Sequence, residues 1–461
     1  MSDDVEVCVV GGGPAGAALA TRLAQLGHDV AIAEQHRFPR AHVGESLSPA
    51  IWPLLDVLGV RDRVAGAGFT RTLTARVRWR GDHEERIAVP GGLTVDRAEL
   101  DAILLGRARE AGARELARAR ARRPIRRADH WELELGERVL RARYLADATG
   151  RRRLLGGRCT ATAPRTLALH AVWPQPAADG AQTRIDALAE GWLWGARMPS
   201  GTFRAMAFVD PRTLIAAGRD RRRLYHRLLA QSPLFGGLIA SASSAGRVHA
   251  CDATSYAVPA PIGETAVRVG EAAFAIDPLS SSGVQTAIQT GLAAAVAVHT
   301  ILLHDGDTAA AIEYYAARQS HDVDRHAATA ANIYAEHGSH ADAEFWQLRA
   351  GAPAPRSPVG APTPIADLLA RPVALPGAAE LRGVPCLVGD RVRSCRALTH
   401  PVLDRPVAFL GGDELAPLLD LLPRSPSLAH AMRAWNGVLQ PGRASAIAGW
   451  LHERGLLVRR L

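Results

Sequence analysis

Six residues near the start constrain this chain more than any other feature: Gly11-Gly12-Gly13-Pro14-Ala15-Gly16. The run Val5 to Val10 ahead of them is mostly apolar and reads as a short strand. Ala17 to Leu26 carries apolar residues at helical spacing and stops at Gly27. Asp29 to Ala33 is a second strand-like run that closes on Glu34, 18 residues after Gly16. Strand, glycine turn, helix, strand and acid in that order make a βαβ unit with G-x-G-x-x-G spacing at Gly11, Gly13 and Gly16. Glycines let the backbone approach a pyrophosphate, and a helix N-terminus offers free amides and the positive end of its dipole. Pro14 and Ala15 fall in that first turn. Glu34, followed by Gln35, is placed to accept a hydrogen bond from a ribose hydroxyl. The expectation is a dinucleotide site.

Composition bounds the rest. The 461 residues are 48% apolar and 22% charged, which is ordinary for a folded chain and excludes disorder, collagen and coiled coil. No uninterrupted apolar stretch of about 20 residues stands out, so no membrane span is expected. MSDDVEVCVV has no basic region ahead of an apolar core, which argues against a secretory leader. Cys8, Cys159, Cys251, Cys386 and Cys395 form no C-x-x-C pair. They read as reduced thiols of a cytoplasmic protein, with no metal site. Lysine is absent, so all 55 basic residues are arginine. The net charge of +9 is read as coding bias rather than a nucleic-acid surface. The missing amine excludes Schiff bases, the usual P-loop lysine and any lysine haloamine.

Further along, Gly91 to Arg97 leads into a segment with Leu100, Ile103, Leu104 and Ala108 at helical spacing. Leu116 to Arg122 alternates Ala and Arg and reads as one strand with a wet face. Trp131 to Leu135 and Val139 to Leu145 flank Gly136-Glu137 as a hairpin, and the chain then reaches Asp147-Ala148-Thr149-Gly150. Thr166–Val172 and Gly201–Val209 read as strands of a separate antiparallel sheet. Gly270-Glu271 and Asp277-Pro278-Leu279-Ser280-Ser281-Ser282-Gly283-Val284 precede a long helix to about Leu303. The expected fold class is therefore α/β. A Rossmann-like domain takes 1–72, 95–164 and 251–350, the last with a helical extension. An antiparallel-sheet substrate domain takes 73–94 and 165–250. A Pro- and Ala-rich linker covers 351–379. A small winged-helix-like domain, strands then helices, covers 380–461.

GGGPAG with Glu34, VDRAELD at 95–101, DATG at 147–150 and GEAAFAIDPLSSSG at 270–283 together resemble the FAD-dependent aromatic hydroxylases, the class A flavoprotein monooxygenases. Gly44-Glu45-Ser46 and the Tyr334–Arg349 region, with Phe345-Trp346, resemble the tryptophan-halogenase branch of that superfamily. The resemblance implies FAD and a glutathione-reductase-type binding domain. It implies cofactor contacts from Gly11 to Gly16, Glu34, Gln35, Gly44, Glu45, Ser46, Arg97, Asp147, Gly270, Glu271, Pro278, Ser282, Gly283 and Val284. Gly270-Glu271 stands where the family has Gly-Asp, so the acceptor is one methylene longer. For Arg97 a surface position is an equal expectation.

Halogenases of this branch carry a Trp-x-Trp-x-Ile-Pro segment and a relay lysine. Here Gly191-Trp192-Leu193-Trp194-Gly195-Ala196-Arg197-Met198-Pro199 echoes the first with two extra residues, and no lysine exists, including across Phe69–Trp79. Arginine keeps its proton and does not form a haloamine easily. The resemblance then implies oxygen transfer from a flavin C4a-hydroperoxide to an aromatic ring, most sharply an indole. Its substrate is expected to be a tryptophan of a peptide or protein, hydroxylated during tryptophylquinone maturation. Candidate bases are His42, Glu45, His170 and Asp277. Trp192, Trp194, Pro278 and Ser281 are expected at the substrate, although the two tryptophans equally suit a sheet core. NADH or NADPH, or a partner flavin reductase, would supply electrons. The competing readings are a halogenase, a geranylgeranyl-reductase-like oxidoreductase and a non-catalytic flavin-bearing scaffold.

Overall fold

A computed structural model describes residues 4–81, 83–174, 182–237, 246–337, 340, 342–351 and 364–460. The chain divides into two compact units, Met1–Leu302 with Tyr315–Pro353, and Leu303–Tyr314 with Ala354–Leu461.

In the first unit the strand Asp4–Val10 is paired in parallel on both sides, to Val30–Glu34 and to Arg138–Asp147. Val7, Cys8 and Val9 are wholly buried, which is why this strand is apolar without alternation. The sheet runs Arg114–Ala117, Val30–Glu34, Asp4–Val10, Arg138–Asp147, Trp131–Leu135, Ala121–Arg126, and Ala266–Arg268 also pairs with Arg138–Asp147. The single strand expected over 116–122 is two strands. Arg114–Ala117 pairs with Val30–Glu34, and Ala121–Arg126 pairs with Trp131–Leu135. Arg118, at φ 60°, interrupts the extended backbone between them, and the Ala-Arg alternation continues through the break without recording it.

The second sheet of this unit has eight strands, in the order His249–Asp252, Leu167–Trp173, Phe203–Val209, Gly191–Arg197, Gln182–Leu188, Thr70–Arg78, Glu85–Thr94, Ser46–Leu47. All its pairings are antiparallel except Gln182–Leu188 with Thr70–Arg78. Alternation sorts its faces. Leu193, Phe203, Ala205 and Ala207 pack with Tyr225 and Leu228 of the helix Arg221–Gln231. Trp192, Trp194, Met206 and Phe208 pack on the other side with Trp79, Tyr334, Phe345 and Trp346.

The helix Gly283–Leu302 packs on the helix Pro14–Gln25, and a Cβ at Gly291 would collide with the Ala15 carbonyl. By length and composition it is apolar enough to cross a membrane, but 67% of its most apolar stretch is buried inside the fold, as in a core helix.

The second unit has a hairpin, Glu380–Val388 with Arg391–Thr399, and the helices Leu415–Leu419, Leu428–Asn436 and Arg443–Glu453. Leu398, Leu418, Trp435, Ile447 and Leu451 centre its core. Of the expected linker 351–379, residues 352–363 lie outside the described residues. Beyond them the linker expectation fails: Ile365–Leu369 is a helix, and Val373–Ala374 pairs with Val458–Arg459. Leu368 and Val373 are buried in the second core, which the surrounding prolines and alanines conceal in the sequence.

Candidate active site

The glycine turn is forced from two directions. A Cβ on Gly11, at φ 108°, would strike the Ala148 carbonyl, and one on Gly16 would strike the Gly11 carbonyl. Gly13 differs: a Cβ there meets only the Arg40 guanidinium, at 3.4 Å. The helix behind the turn starts with Pro14 and has no side-chain cap, so the amides of Ala15 and Gly16 keep no intrahelical partner. Glu34 is buried. Its Oε2 accepts the Gly12 amide at 2.7 Å and its Oε1 the His36 amide at 2.7 Å, so it braces the turn. Each oxygen retains a lone pair for a hydroxyl. Gln35 is exposed. Asp147 is fully buried and committed to its own turn, accepting from the Thr149 amide and hydroxyl and from the Leu155 amide. It sets Ala148 against Gly11 rather than offering a free carboxylate.

Arg97 is not a surface residue. At 6% exposure its Nε and Nη2 donate to Asp101 at 3.0 and 3.1 Å, and its Nη1 donates to the Val43 carbonyl at 2.7 Å. Gly44, at φ 99°, leaves room for that guanidinium, which a Cβ would approach to 2.9 Å. Glu45 follows, 3% exposed. Its Oε2 accepts the Gly44 amide and its Oε1 lies 2.6 Å from Arg204 Nε, an ion pair without hydrogen-bond alignment. Burial pushes the Glu45 carboxyl above its usual range, against the pull of Arg204. Ser46 pairs with Thr94 at the sheet edge. His42 is exposed, with Nδ1 at 2.8 Å from the Val43 carbonyl.

Before the long helix, Asp277 accepts the Leu279 amide, Ser281 adopts φ 48°, and Ser282 receives the Thr286 amide at its carbonyl. Gly283 is exposed with no atom near a Cβ, whereas Val284 is buried. Pro278 is half-buried. Gly270, at φ 59°, sits where a Cβ would approach Ala15 to 2.9 Å, and its amide donates to Thr290. Glu271 is exposed and pairs with Arg151 at 3.2 Å. Ala15 packs two turns into the long helix, at Gly291, so the two helix starts are offset by about 12 Å along it. The uncapped start of Pro14–Gln25, the start of the long helix and the glycine backbone beside them fit a dinucleotide such as FAD.

Trp192 and Trp194 are 2% and 7% exposed and belong to the aromatic core of the sheet face. Trp192 stacks on Phe208 at 4.0 Å and donates its Nε1–H to the Tyr334 hydroxyl at 3.2 Å; that hydroxyl donates to Asp277 Oδ2 at 3.1 Å. Burial pushes the Asp277 carboxyl above its usual range. His170 stacks on His249 and lies near Arg204; burial, then Arg204 and His249, lower it to about 4, so it is neutral at neutral pH. Arg204 and Tyr334 were absent from the site residues expected from sequence. Arg204 had a signal: it is the one charged residue in Phe203–Val209, and alternation sets it on the Trp192 face. A cavity of about 180 Å³ is lined by Asp277, Tyr334 and Arg349, but by none of Trp192, Trp194, Pro278 and Ser281. Among the described residues no group of three His, Cys, Asp or Glu side chains is placed to hold a metal ion.

Residues 4–159 match a family model described as an FAD binding domain. A tryptophan 2-halogenase of Chondromyces crocatus is 30% identical over 342 residues, 68% of this chain. The chain spans 65% of that relative's length. Among solved structures, the peptidyl tryptophan dihydroxylase QhpG, essential for tryptophylquinone cofactor biogenesis, superposes with a TM-score of 0.78 at 25% identity, covering 98% of this chain and 100% of its own. The flavin-dependent halogenase CmlS shares the fold, with a TM-score of 0.78 at 21% identity, over 98% of this chain and 96% of its own.

Proposed function

We propose that this chain, which belongs to the FAD-dependent aromatic hydroxylase superfamily in its tryptophan-halogenase-like branch, is an oxidoreductase that hydroxylates the indole ring of a tryptophan carried by a peptide or protein. One observation carries the choice of oxygen over halogen: a chain of this branch without a single lysine has no amine to relay a halogen. The end-to-end likeness to a peptidyl tryptophan dihydroxylase supports the substrate class. The small second unit does not by itself argue for a peptide, because a halogenase fold also covers nearly the whole chain.

In this reading the Gly11–Gly16 backbone and the Ala15 and Gly16 amides hold the pyrophosphate, Glu34 holds the adenosine ribose, and the Gly283 and Val284 amides face the isoalloxazine. FAD, when bound and reduced by NADH, NADPH or a partner reductase, supplies the electrons and the activation of dioxygen. The chain orients and shields. Arg97, held by Asp101, clamps the Val43 and Gly44 carbonyls and so sets the position of Glu45. Tyr334 ties Asp277, and with it the Pro278–Gly283 loop, to Trp192 on the sheet. The packed rings of Trp79, Trp192 and Trp346 keep water off that face.

The halogenase reading keeps support from the sequence relatives and is separated by product mass. The protein is incubated with FAD, NADH, a flavin reductase, tryptophan peptides and ¹⁸O₂, with and without chloride and bromide. A product gaining ¹⁸O without need of halide is expected. A halide-dependent product with a halogen isotope pattern would overturn the hydroxylase reading.

A further inference from the structure

The second unit carries two cysteines on one hairpin, Cys386 on the strand Glu380–Val388 and Cys395 on the strand Arg391–Thr399. The register sets Cys386 opposite Arg393 and Cys395 opposite Val384. Residues directly opposite share a face, and so do residues two apart along a strand, so both thiols leave the same face as diagonal neighbours. In a flat ribbon that diagonal spans about 7–8 Å between Cα atoms, too far for a disulfide without backbone movement. Right-handed twist, largest in a two-stranded ribbon, shortens one diagonal and lengthens the other. This hairpin is a sheet of two strands, and its cysteines lie on the short diagonal, because the Cys386 S–H is hydrogen-bonded to the Cys395 sulfur.

Both thiols are half-buried, but they are not equivalent. Burial, then the neighbouring Cys395, push Cys386 up to about 11. Burial raises Cys395 as well, but there the S–H of Cys386 pulls the other way and stabilises a thiolate. Glu414 opposes ionisation of both, and Arg393 favours it at Cys395. The thiolate is the attacking species in thiol–disulfide exchange. The pair therefore holds a nucleophile, Cys395, with a second thiol placed to resolve what it forms.

We propose that Cys386 and Cys395 are a redox modification site, closing a reversible disulfide within the hairpin by exchange with a small disulfide such as oxidised glutathione. Cys395 gives its proton to solvent and attacks one glutathione sulfur. The glutathione S–S bond breaks, and one glutathione leaves as a thiolate that takes up a proton. Cys386, deprotonated in turn, attacks the Cys395 sulfur and expels the second glutathione. The cysteine pair loses two electrons, and the glutathione disulfide gains them as it becomes two thiols. The bond turns the reversal at Gly389-Asp390 into a closed covalent loop, and reduction reopens it. The site does not rest on the hydroxylase reading.

The test treats the reduced full chain with oxidised glutathione, alkylates the remaining thiols and maps the peptides by mass. Wild type should yield a Cys386–Cys395 cross-link two hydrogens lighter than the reduced pair, reversed by dithiothreitol. Cys386→Ser should instead hold glutathione on Cys395, at least tenfold above the wild-type level, because nothing resolves it. Cys395→Ser should lack the cross-link. Glutathione on both thiols without a cross-link would overturn the assignment, as would a bond that forms only in urea or one that joins either cysteine to a different one. So would full alkylation of both thiols while the exposed Cys159 carries glutathione.

Discussion

Gly13 and Gly16 share a motif but not a reason for being glycine. Gly16 is required by the chain itself, since its Cβ would enter the Gly11 carbonyl. Gly13 has φ −70° and only the end of the Arg40 side chain near a Cβ, so the fold does not require glycine there, whereas the proposed pyrophosphate does. Gly13→Val should therefore fold with a near-native melting temperature and circular dichroism but purify without flavin. Gly16→Val should fail to fold. A Gly13→Val protein that retains full flavin absorbance would refute the placement of the pyrophosphate. Tyr334 is the second residue of consequence, because one hydroxyl joins the sheet to the loop ahead of the long helix. Tyr334→Phe leaves Asp277 short of a donor in a buried place, at a cost of about 1–3 kcal/mol. Urea denaturation should report that loss; no loss would mean that the Leu279 amide alone suffices for Asp277.

At the scale of elements, pairing register decides which groups meet. His170 and His249 stand opposite each other on neighbouring antiparallel strands, and Arg204 reaches His170 from the strand on the other side. Burial, and after it the Arg204 guanidinium and the His249 imidazole, oppose a positive charge on His170, so it titrates near 4 when folded against about 6.5 when unfolded. The unfolded chain therefore binds the proton first as pH falls. Stability should be level above about pH 6.5 and decline as pH falls through 6.5 toward 4. His170→Gln should flatten that decline in melting temperature measured from pH 7 to 4. An identical slope in wild type and variant would assign the acid sensitivity to other groups. The same element scale explains the misread strand at 116–122. A two-residue period reports which face is wet, but not that the strand ends at Arg118.

For the whole molecule, the apolar cluster of the second unit draws all its residues from 365–457. A fragment of residues 364–461 should then unfold cooperatively, with near-ultraviolet dichroism from buried Trp435; a broad transition without that signal would show that the core needs the rest of the chain. The dinucleotide turn, the helix that follows it, the antiparallel sheet and the long helix from Gly283 were legible in advance. Each is written in neighbours a few residues apart, through backbone sterics and apolar period. The exclusion of amine chemistry needed only the absence of one residue type. The partners of the charged groups were not legible. Glu45 meets Arg204, Asp277 meets Tyr334, and Arg349 meets Arg165 and Thr166 across separations that no local pattern encodes. Sequence alone determined that this chain builds a dinucleotide cradle. Only the tertiary structure decided which of its acids and cations are buried and which partners they meet, because burial and pairing are properties of chain segments brought together from far apart.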